Sequence, residues 1–337
     1  MKQTLEKVIE EKQSDWPGFL KIIYQELSIV EENLIYKIPT KSKLLEEIIR
    51  YILKAGGKRI RPALCFLTAK ATGEITNKHI ILAELTELIH TASLIHDDII
   101  DSAKFRRGTE TINSLWNDKI SVITGDFLFA QASIRLGLLE NTEIVKIYAK
   151  VLSDLCDGEI EQYTYKFNTN ISWDYYLEKS TTKTASLFAA ACKSASILNN
   201  TEPNIISQAG QFGEYIGIAF QIVDDILDFT SNIKTIGKEI GTDLKQGIIT
   251  APTLFALNST HKKAKDLKDL IENQFNNNNS DLENAIRLVL ELDGCEKAKE
   301  LANQYILKAK EKSIFVKNIN IKTYLSQTAD YLLSRIE

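Results

Sequence analysis

The chain has 337 residues, 44% hydrophobic and 26% charged, with a formal net charge of −4. This composition is typical of a folded protein with a large core, and it excludes an intrinsically disordered chain. The negative net charge disfavours nucleic acid as a partner. No apolar run approaches the roughly 18 residues of a transmembrane helix, so we predict no membrane span.

The first 16 residues, MKQTLEKVIEEKQSDW, mix acids with bases. They show neither the apolar core of a signal peptide nor the arginine-rich, acid-poor bias of a transit peptide, so we expect the protein to work where it is made. The four cysteines stand singly in apolar surroundings, without the spacing of a zinc site or a redox motif. They indicate a reducing compartment, and they are Cys65, Cys156, Cys192 and Cys295.

Helical periodicity extends over most of the chain. In ILAELTELIHTASLIHDDIID (81–101), apolar residues recur at alternating spacings of four and three, which predicts one apolar helix face. Only 5 prolines and 15 glycines interrupt the sequence, and no segment has the short rhythm of strands and turns. Similar patterns predict further helices over 40–55, 62–72, 125–140, 141–166, 174–198, 204–230, 249–258, 281–293 and 295–311.

The predicted breaks between helices are short. They fall at 168–172, 199–203, 231–247 and 276–281, and the asparagine-rich last segment is typical of a solvated loop. No change in composition is long enough to be a linker. We therefore predict a single all-α domain over residues 1–337, although the length alone would permit two domains.

The words DDIID (97–101) and DDILD (224–228) repeat one acidic pattern. Residues i and i+4 of a helix share a face, so the first and last aspartates of each word point the same way. A single acidic cluster is more often a solvated surface, but both words end long apolar stretches and so project from core helices. Gathering about six carboxylates in a cleft requires cations to offset their repulsion, and carboxylate oxygens suit Mg²⁺. The predicted ligands are Asp97, Asp98, Asp101, Asp224, Asp225 and Asp228.

Basic residues stand in compact groups that suit a phosphate-bearing ligand. GGKRIRP (56–62) carries three bases before Pro62, a residue favoured at the first position of a helix, whose N-terminus also attracts anions. FRRGTET (105–111) follows the first acidic word, and the forked donors of arginine match phosphate oxygens. The candidates are Lys58, Arg59, Arg61, Arg106, Arg107, Lys183, Thr184, Lys238 and Lys245, with His90 two turns before Asp97 on the same helix face.

These motifs occur in a recognisable order. GGKRIRP, LIHDDIID, RRG, GEIEQ, KTAS, FQIVDDILDF and the GK…DLKQG loop resemble the motif set of the trans-isoprenyl diphosphate synthases over roughly residues 40–258. Within that family the chain is most similar to the long-chain polyprenyl synthases, the solanesyl type of cyanobacteria and plastids. The resemblance implies an isoprenoid-synthase-type helical bundle around a deep central cavity, a homodimer, and Mg²⁺ as cofactor.

The resemblance also implies a reaction, in which isopentenyl diphosphate is condensed repeatedly with an allylic diphosphate. Asp97 and Asp101 would hold two Mg²⁺ and Asp224 a third, with the other three aspartates in support. No side chain is expected to act as general base, because the departing diphosphate takes the proton. The allylic diphosphate would be held by Arg106, Lys183, Thr184, Gln221 and Lys238. Isopentenyl diphosphate would be held by Lys58, Arg61, His90 and Arg107, whereas Arg59 and Gln162 are expected to have local structural roles.

The expected product is a long all-trans polyprenyl diphosphate for a quinone side chain such as that of plastoquinone. Ala92 and Ser93 lie about one helical turn before Asp97, and neither carries the aromatic ring typical of short-chain members of the family, so we expect them to leave room for a long tail. The alternatives are a geranylgeranyl-length product or a subunit of a heteromeric synthase. A terpene cyclase is disfavoured by Lys58, Arg61 and the second acidic word, and a squalene-type synthase by GGKRIRP. The compartment would be the plastid stroma for a plastid-encoded protein and otherwise the bacterial cytoplasm.

Overall fold

The computed structural model describes residues 17–106, 108–230, 240–277, 279–316 and 318–336. Within these ranges the chain is built almost entirely of helices, as predicted. One two-stranded antiparallel hairpin, β1 (Phe105–Arg106) and β2 (Thr109–Glu110), pairs Phe105 with Glu110 and Arg106 with Thr109, and the sequence patterns did not predict it. None of the described helices has an apolar stretch long enough to cross a lipid bilayer.

The helices predicted before residue 200 occur in the structure, whereas those at Tyr24–Tyr36 and Ile112–Leu115 were not predicted. A 3₁₀ turn at Gly18–Ile23 precedes them, and a π-helical turn at Thr181–Ala185 interrupts the predicted helix 174–198. The α-helices are α1 (Tyr24–Tyr36), α2 (Lys43–Lys54), α3 (Ile60–Thr72), α4 (Asn77–Ile100), α5 (Ile112–Leu115), α6 (Asp118–Leu138), α7 (Thr142–Thr164), α8 (Trp173–Ser180) and α9 (Ser186–Leu198).

The described residues of the carboxyl-terminal part form seven further helices and two 3₁₀ turns. The 3₁₀ turns are Gln274–Asn277 and Ser313–Phe315. The helices are α10 (Pro203–Thr230), α11 (Thr242–Lys245), α12 (Ala251–Leu257), α13 (Lys263–Glu272), α14 (Asn279–Glu291), α15 (Gly294–Lys312) and α16 (Ile319–Leu333).

Some predicted boundaries are wrong. Helix α3 begins at Ile60, so Pro62 occupies the third helical position; its missing N–H costs nothing in the first turn. The loop predicted over 276–281 is shorter, because α14 starts at Asn279. Cys156 is exposed rather than apolar in its surroundings, whereas the other three cysteines are buried. Residues 231–239 of the predicted loop lie outside the described residues.

The chain divides into two compact units, each assembled from three stretches. The first takes the described parts of Met1–Tyr148, Ala190–Gly210 and Ser313–Thr328, and the second those of Ala149–Ala189, Gln211–Lys312 and Ala329–Glu337. Four of the five divisions fall inside helices, namely α7, α9, α10 and α16, and the fifth falls between the end of α15 and the 3₁₀ turn at Ser313–Phe315. A single domain over 1–337 stays a prediction.

The core of the first unit is organised around α4. This helix packs most extensively against α6 and also contacts α1 and α3. Residues 82–89 of α4 are all buried, so the helix is enclosed on every side instead of presenting one apolar face. Its start is fixed by a capping box, in which the backbone N–H of Thr76 donates to Nδ1 of His79 over 3.0 Å. The buried His79 therefore has a structural role.

In the second unit, two glycines allow close helix packing. A Cβ atom on Gly213 would lie 2.5 Å from the Phe188 carbonyl oxygen, and one on Gly217 would lie 2.4 Å from the Cα atom of Ala185. Both distances are shorter than any normal contact, so only glycine permits α10 to approach this closely. Gly217 thus presses α10 against the π-helical turn.

We expect Gly217→Ala to lower the free energy of unfolding by about 1–3 kcal/mol, because the added methyl group must push backbone atoms apart. Urea denaturation followed by circular dichroism measures the change. Gly210→Ala, also in α10, is the matched control, since a Cβ there meets only the Lys193 side chain at an ordinary contact distance of 3.6 Å, and it should raise stability by about 0.5–1 kcal/mol. Equal effects of the two substitutions would contradict this account of the packing.

Candidate functional site

The first acidic cluster ends helix α4. Asp97 and Asp98 lie in its last turn, and Asp101 is the C-cap, whose N–H donates to the Asp97 carbonyl oxygen over 2.8 Å. Asp98 is buried, whereas Asp97 and Asp101 are half-buried. The carboxyl end of a helix carries partial negative charge, so three carboxylates there repel the helix as well as each other. This donor set fits a divalent cation, which removes both repulsions.

Asp98 is held by the hairpin that follows α4. Its Oδ1 atom accepts a hydrogen bond from Nε of Arg106 over 2.7 Å. The side chains of Thr111 and Asn113 donate to the Ala103 carbonyl oxygen over 2.7 and 3.1 Å, which folds the connecting segment back on the end of the helix. The inner aspartate of the first word is therefore fixed by protein donors.

One cavity of the first unit collects several predicted site residues. His90, Asp98 and Arg106 line it together with Arg59 and Glu87. Lys58 is exposed before the start of α3, and Arg61 is buried in the first turn of that helix. Arg107, which was predicted to bind isopentenyl diphosphate together with Lys58, Arg61 and His90, lies outside the described residues.

The second acidic cluster lies in the last turns of α10. Asp224 is half-buried and forms an ion pair with Arg335, with 2.8 Å between Oδ1 and Nη2. The carboxylate of Asp228 accepts the N–H groups of Thr242 and Asp243 over 3.1 and 3.2 Å, and so caps α11. The outer aspartates of this word are thus half-buried, and Asp228 is bonded to the start of α11.

Asp225, the inner aspartate of the second word, is fully buried. Its carboxylate accepts hydrogen bonds from the Tyr176 hydroxyl at 2.6 Å, the Gln221 amide at 2.7 Å and the Ala251 N–H at 3.1 Å. Burial raises the pKa of Asp225 to about 6, although nearby Lys179 opposes the shift. Burial likewise lowers the pKa of Lys179. The inner aspartate is therefore a structural anchor in this word too.

The π-helical turn presents two predicted phosphate-binding residues. Lys183 forms an ion pair with Glu159, and the Thr184 hydroxyl donates to Oε1 of Gln221 over 2.6 Å. Gln221 in turn donates to Asp225, so a chain of hydrogen bonds connects the π-helical turn to the second acidic word. Turns of this type are frequent at functional sites. Lys238, the last residue predicted for this group, lies outside the described residues.

No group of three or more histidine, cysteine, aspartate or glutamate side chains in the described ranges is arranged to hold a metal ion alone. The residues present still fit a cation whose coordination is completed by other oxygens, because Mg²⁺ usually keeps waters and substrate phosphates among its ligands.

Comparison with known proteins identifies the family. The polyprenyl synthetase family model matches residues 42–289, which include both acidic words and the basic segments. The chain belongs to the polyprenyl synthetase family. It is a trans-prenyltransferase with the all-α fold of that family.

Individual relatives agree with this assignment. The chain is 41% identical over 315 residues to a prenyl transferase of Synechocystis, covering 93% of this chain and 96% of the relative. It is 42% identical over 290 residues to the chloroplastic solanesyl diphosphate synthase 1 of Arabidopsis thaliana, covering 84% and 70%. A Caulobacter crescentus polyprenyl synthase, solved with calcium and isoprenyl diphosphate, aligns with a TM-score of 0.89 at 27% identity, covering 94% of this chain and 97% of that one.

Two residues that contact the second acidic word were not predicted from the sequence. Tyr176 binds Asp225 from 49 positions earlier in the chain, and Arg335 binds Asp224 from near the carboxyl terminus. The guanidinium of Arg335 also lies 5.0 Å above the centre of the Phe220 ring. Tyr176 lies in the predicted helix 174–198 but in no motif, and Arg335 lies in neither a predicted helix nor a motif, so the sequence carried no signal for these contacts.

We expect Tyr176→Phe to lower the free energy of unfolding by about 1–3 kcal/mol, because it removes a donor from a buried carboxylate. Chemical denaturation measures the loss. Tyr175→Phe is the matched control, since the Tyr175 hydroxyl makes only a 3.3 Å bond to the Glu161 carbonyl oxygen at an exposed position; its effect should stay below about 0.5 kcal/mol. A Tyr176→Phe protein as stable as the control variant would argue against an anchored Asp225.

Proposed function

We propose that the protein condenses isopentenyl diphosphate repeatedly with an allylic diphosphate and releases a long all-trans polyprenyl diphosphate. The observation that carries this proposal is the shared organisation of the two acidic words. In each, the inner aspartate is buried and anchored, and the outer two are half-buried at the end of a helix. Basic residues stand close to both words in the sequence. Acidic metal ligands beside basic phosphate-binding residues are the groups expected for metal-assisted ionisation of a diphosphate ester.

Mg²⁺ is the cofactor that these residues fit. Asp97 and Asp101 would hold two ions and Asp224 a third, while Asp98, Asp225 and Asp228 keep the acidic words in position. When bound, Mg²⁺ neutralises negative charge that develops on the leaving diphosphate. The calcium and isoprenyl diphosphate in the Caulobacter crescentus enzyme support a divalent cation beside such a substrate.

The protein's side chains bind and orient the two diphosphates. Lys183, Thr184 and Gln221 hold the allylic diphosphate with Arg106 and Lys238. The hydrogen bonds from Thr184 to Gln221 and from Gln221 to Asp225 set the positions of these two side chains before substrate arrives, which lowers the reorganisation needed during ionisation. The second substrate, isopentenyl diphosphate, is held by Lys58, Arg61, His90 and Arg107.

The chemistry needs no nucleophilic side chain. The allylic C–O bond breaks to give a carbocation and diphosphate, and the double bond of isopentenyl diphosphate attacks the cation. The departing diphosphate accepts the proton lost in the last step, so no residue serves as general base. Buried apolar side chains of α4 keep water away from the cation, which would otherwise be hydrolysed.

The lipophilic product serves as a quinone side chain such as that of plastoquinone. The name of the chloroplastic solanesyl diphosphate synthase of Arabidopsis thaliana supports a long product and a photosynthetic setting. The site of action is the plastid stroma for a plastid-encoded chain and otherwise the bacterial cytoplasm. A geranylgeranyl-length product and a role as one subunit of a heteromeric synthase are the alternatives, and product analysis distinguishes them.

We also propose that the enzyme is a homodimer. Helix α6 leaves four large apolar side chains 43–56% exposed on its outer side, which is unusual for a helix whose other side is packed in a core. A second copy of the same helix is the partner with matching chemistry, because isologous pairing covers both stripes at once. The four residues are Val122, Ile123, Ile134 and Leu138.

The decisive experiment supplies purified protein with labelled isopentenyl diphosphate, an allylic primer and Mg²⁺. We expect chain elongation, and we expect Asp97→Ala and Asp224→Ala each to lower turnover at least about a thousandfold, which corresponds to roughly 4 kcal/mol of transition-state stabilisation. Asp118→Ala, an exposed acid in the first turn of α6, is the control and should keep full activity. A cyclised hydrocarbon, or elongation only with a partner chain, would overturn the proposal, as would normal turnover in Asp224→Ala.

Product length provides a second test. Ala92 is fully buried, whereas Ser93 is half-buried and its hydroxyl donates to the His90 carbonyl oxygen over 2.9 Å. We expect Ser93→Phe to shorten the product to farnesyl or geranylgeranyl length, because the ring blocks the tail about one 5.4 Å turn from Asp97. Ala92→Tyr should shorten it as well, at a cost of about 1–3 kcal/mol from overpacking.

Reverse-phase chromatography of the extracted products measures chain length in these variants. Ser93→Ala is the matched control and should keep the parent's product. A folded and active Ser93→Phe enzyme that still makes the long product would place the tail on another path.

A further inference from the structure

A buried ion cluster in the first unit joins three charged residues. Arg59 donates from Nε to Glu31 and from Nη1 to Glu87, and its Nη2 atom donates to the Leu53 carbonyl oxygen over 3.3 Å. The three charged side chains are only 3%, 2% and 5% exposed. One guanidinium therefore connects helix α1, the end of α2 and helix α4.

The cluster depends on the geometry of arginine. Burial alone would lower the pKa of Arg59, but attraction to Glu87 and Glu31 outweighs it, so the pKa lies above the usual value and the side chain stays charged. Removing the cation would leave two carboxylates buried without compensation. The planar fork donates in three directions at once, which a lysine ammonium on a single flexible stem does not reproduce.

The backbone of Arg59 is also unusual. It adopts the left-handed conformation, with φ 49° and ψ 37°, at the N-cap of α3. A residue with a Cβ atom disfavours this region, so the side-chain bonds must hold it there. The Arg59 carbonyl oxygen accepts the Ala63 N–H over 2.9 Å and starts the helix. The backbone conformation at residue 59 therefore sets the position of Lys58, which precedes α3, relative to Arg61 in its first turn.

The cluster borders the candidate site. Arg59 and Glu87 line the same cavity as His90, Asp98 and Arg106. Glu87 lies one helical turn before His90 on α4. Glu87 therefore connects the helix that carries His90 to Arg59, which stands next to Lys58 in the chain.

We propose that Arg59 is a positioning residue for isopentenyl diphosphate, and that the Glu31–Arg59–Glu87 cluster fixes the segment on which Lys58 and Arg61 are presented. The inference rests on the proposed function, because it assigns these two bases to isopentenyl diphosphate. Arg59 acts through the loop and does not touch the substrate. Its loss weakens binding of one diphosphate and leaves the other almost unaffected.

The test is Arg59→Lys, which retains the charge and loses the three-way donation. We expect KM for isopentenyl diphosphate to rise by about 10- to 100-fold, the usual effect of losing a residue that orients a binding group. The KM for the allylic substrate and kcat should change by less than about threefold, since the anchors of the second acidic word are untouched. Steady-state kinetics with each substrate varied in turn separates these effects.

Two further variants control for loss of stability. Arg135→Lys disrupts another buried pair, in which Nε of Arg135 on α6 donates to Glu84 on α4 over 2.7 Å. It should lower thermal stability and leave both KM values unchanged. Glu87→Gln keeps a hydrogen-bond acceptor for Arg59 but removes one charge from the cluster. It should raise KM for isopentenyl diphosphate above the wild-type value and leave KM for the allylic substrate unchanged, which keeps the inference testable if Arg59→Lys does not fold.

Calorimetric titration with isopentenyl diphosphate separates this inference from the proposed function. A folded Arg59→Lys protein that binds it as tightly as the wild type overturns the inference, whether or not the wild type elongates a primer. An equal rise of KM in Arg59→Lys and Arg135→Lys also overturns it. If the wild type elongates no primer but Arg59→Lys still binds isopentenyl diphosphate more weakly than the wild type and Arg135→Lys do, only the proposed function is overturned.

Discussion

The burial of one aspartate in each acidic word is the constraint on which the rest of the site depends. A buried carboxylate is stable only when protein donors satisfy it, so Asp98 requires Arg106 and Asp225 requires Tyr176, Gln221 and the Ala251 N–H. These bonds fix the rotation of the helix end about its axis. The two outer aspartates of each word are left half-buried near the end of their helix.

The same five-residue word is anchored by different means in the two units. In the first unit the anchor is a cation on a short hairpin, and in the second it is a set of neutral donors with buried Lys179 nearby. The helical spacing of the words is therefore the common element, while each supporting network is local to its own unit. The Glu31–Arg59–Glu87 cluster follows the same physical rule with the charges reversed, since a buried arginine is held by two carboxylates.

Much of the fold and part of the candidate site could be predicted from the sequence. The predicted helices, the family and the enzyme class are confirmed. They could be predicted because helical periodicity and ordered motifs are properties of neighbouring residues. The interruption of the predicted helix 174–198 was not predicted. The π-helical turn there lies against Gly217, more than 30 positions later, and no local pattern records a contact over that distance. The roles of the individual ligands remain proposals.

The sequence by itself determined which side chains could carry the chemistry and which share a helix face. Asp97 and Asp101 are four residues apart, and the 3.6-residue turn makes their alignment a local property. Only the tertiary structure decided which aspartate of each word is buried, because Asp98 is bound from a hairpin and Asp225 from helix α8 and the start of helix α12, besides Gln221 on its own helix. It also decided that Arg335 binds Asp224 and that Arg59 binds two glutamates. Burial and long-range donors select among orientations that the helix alone leaves equivalent, and this selection requires the whole packed unit.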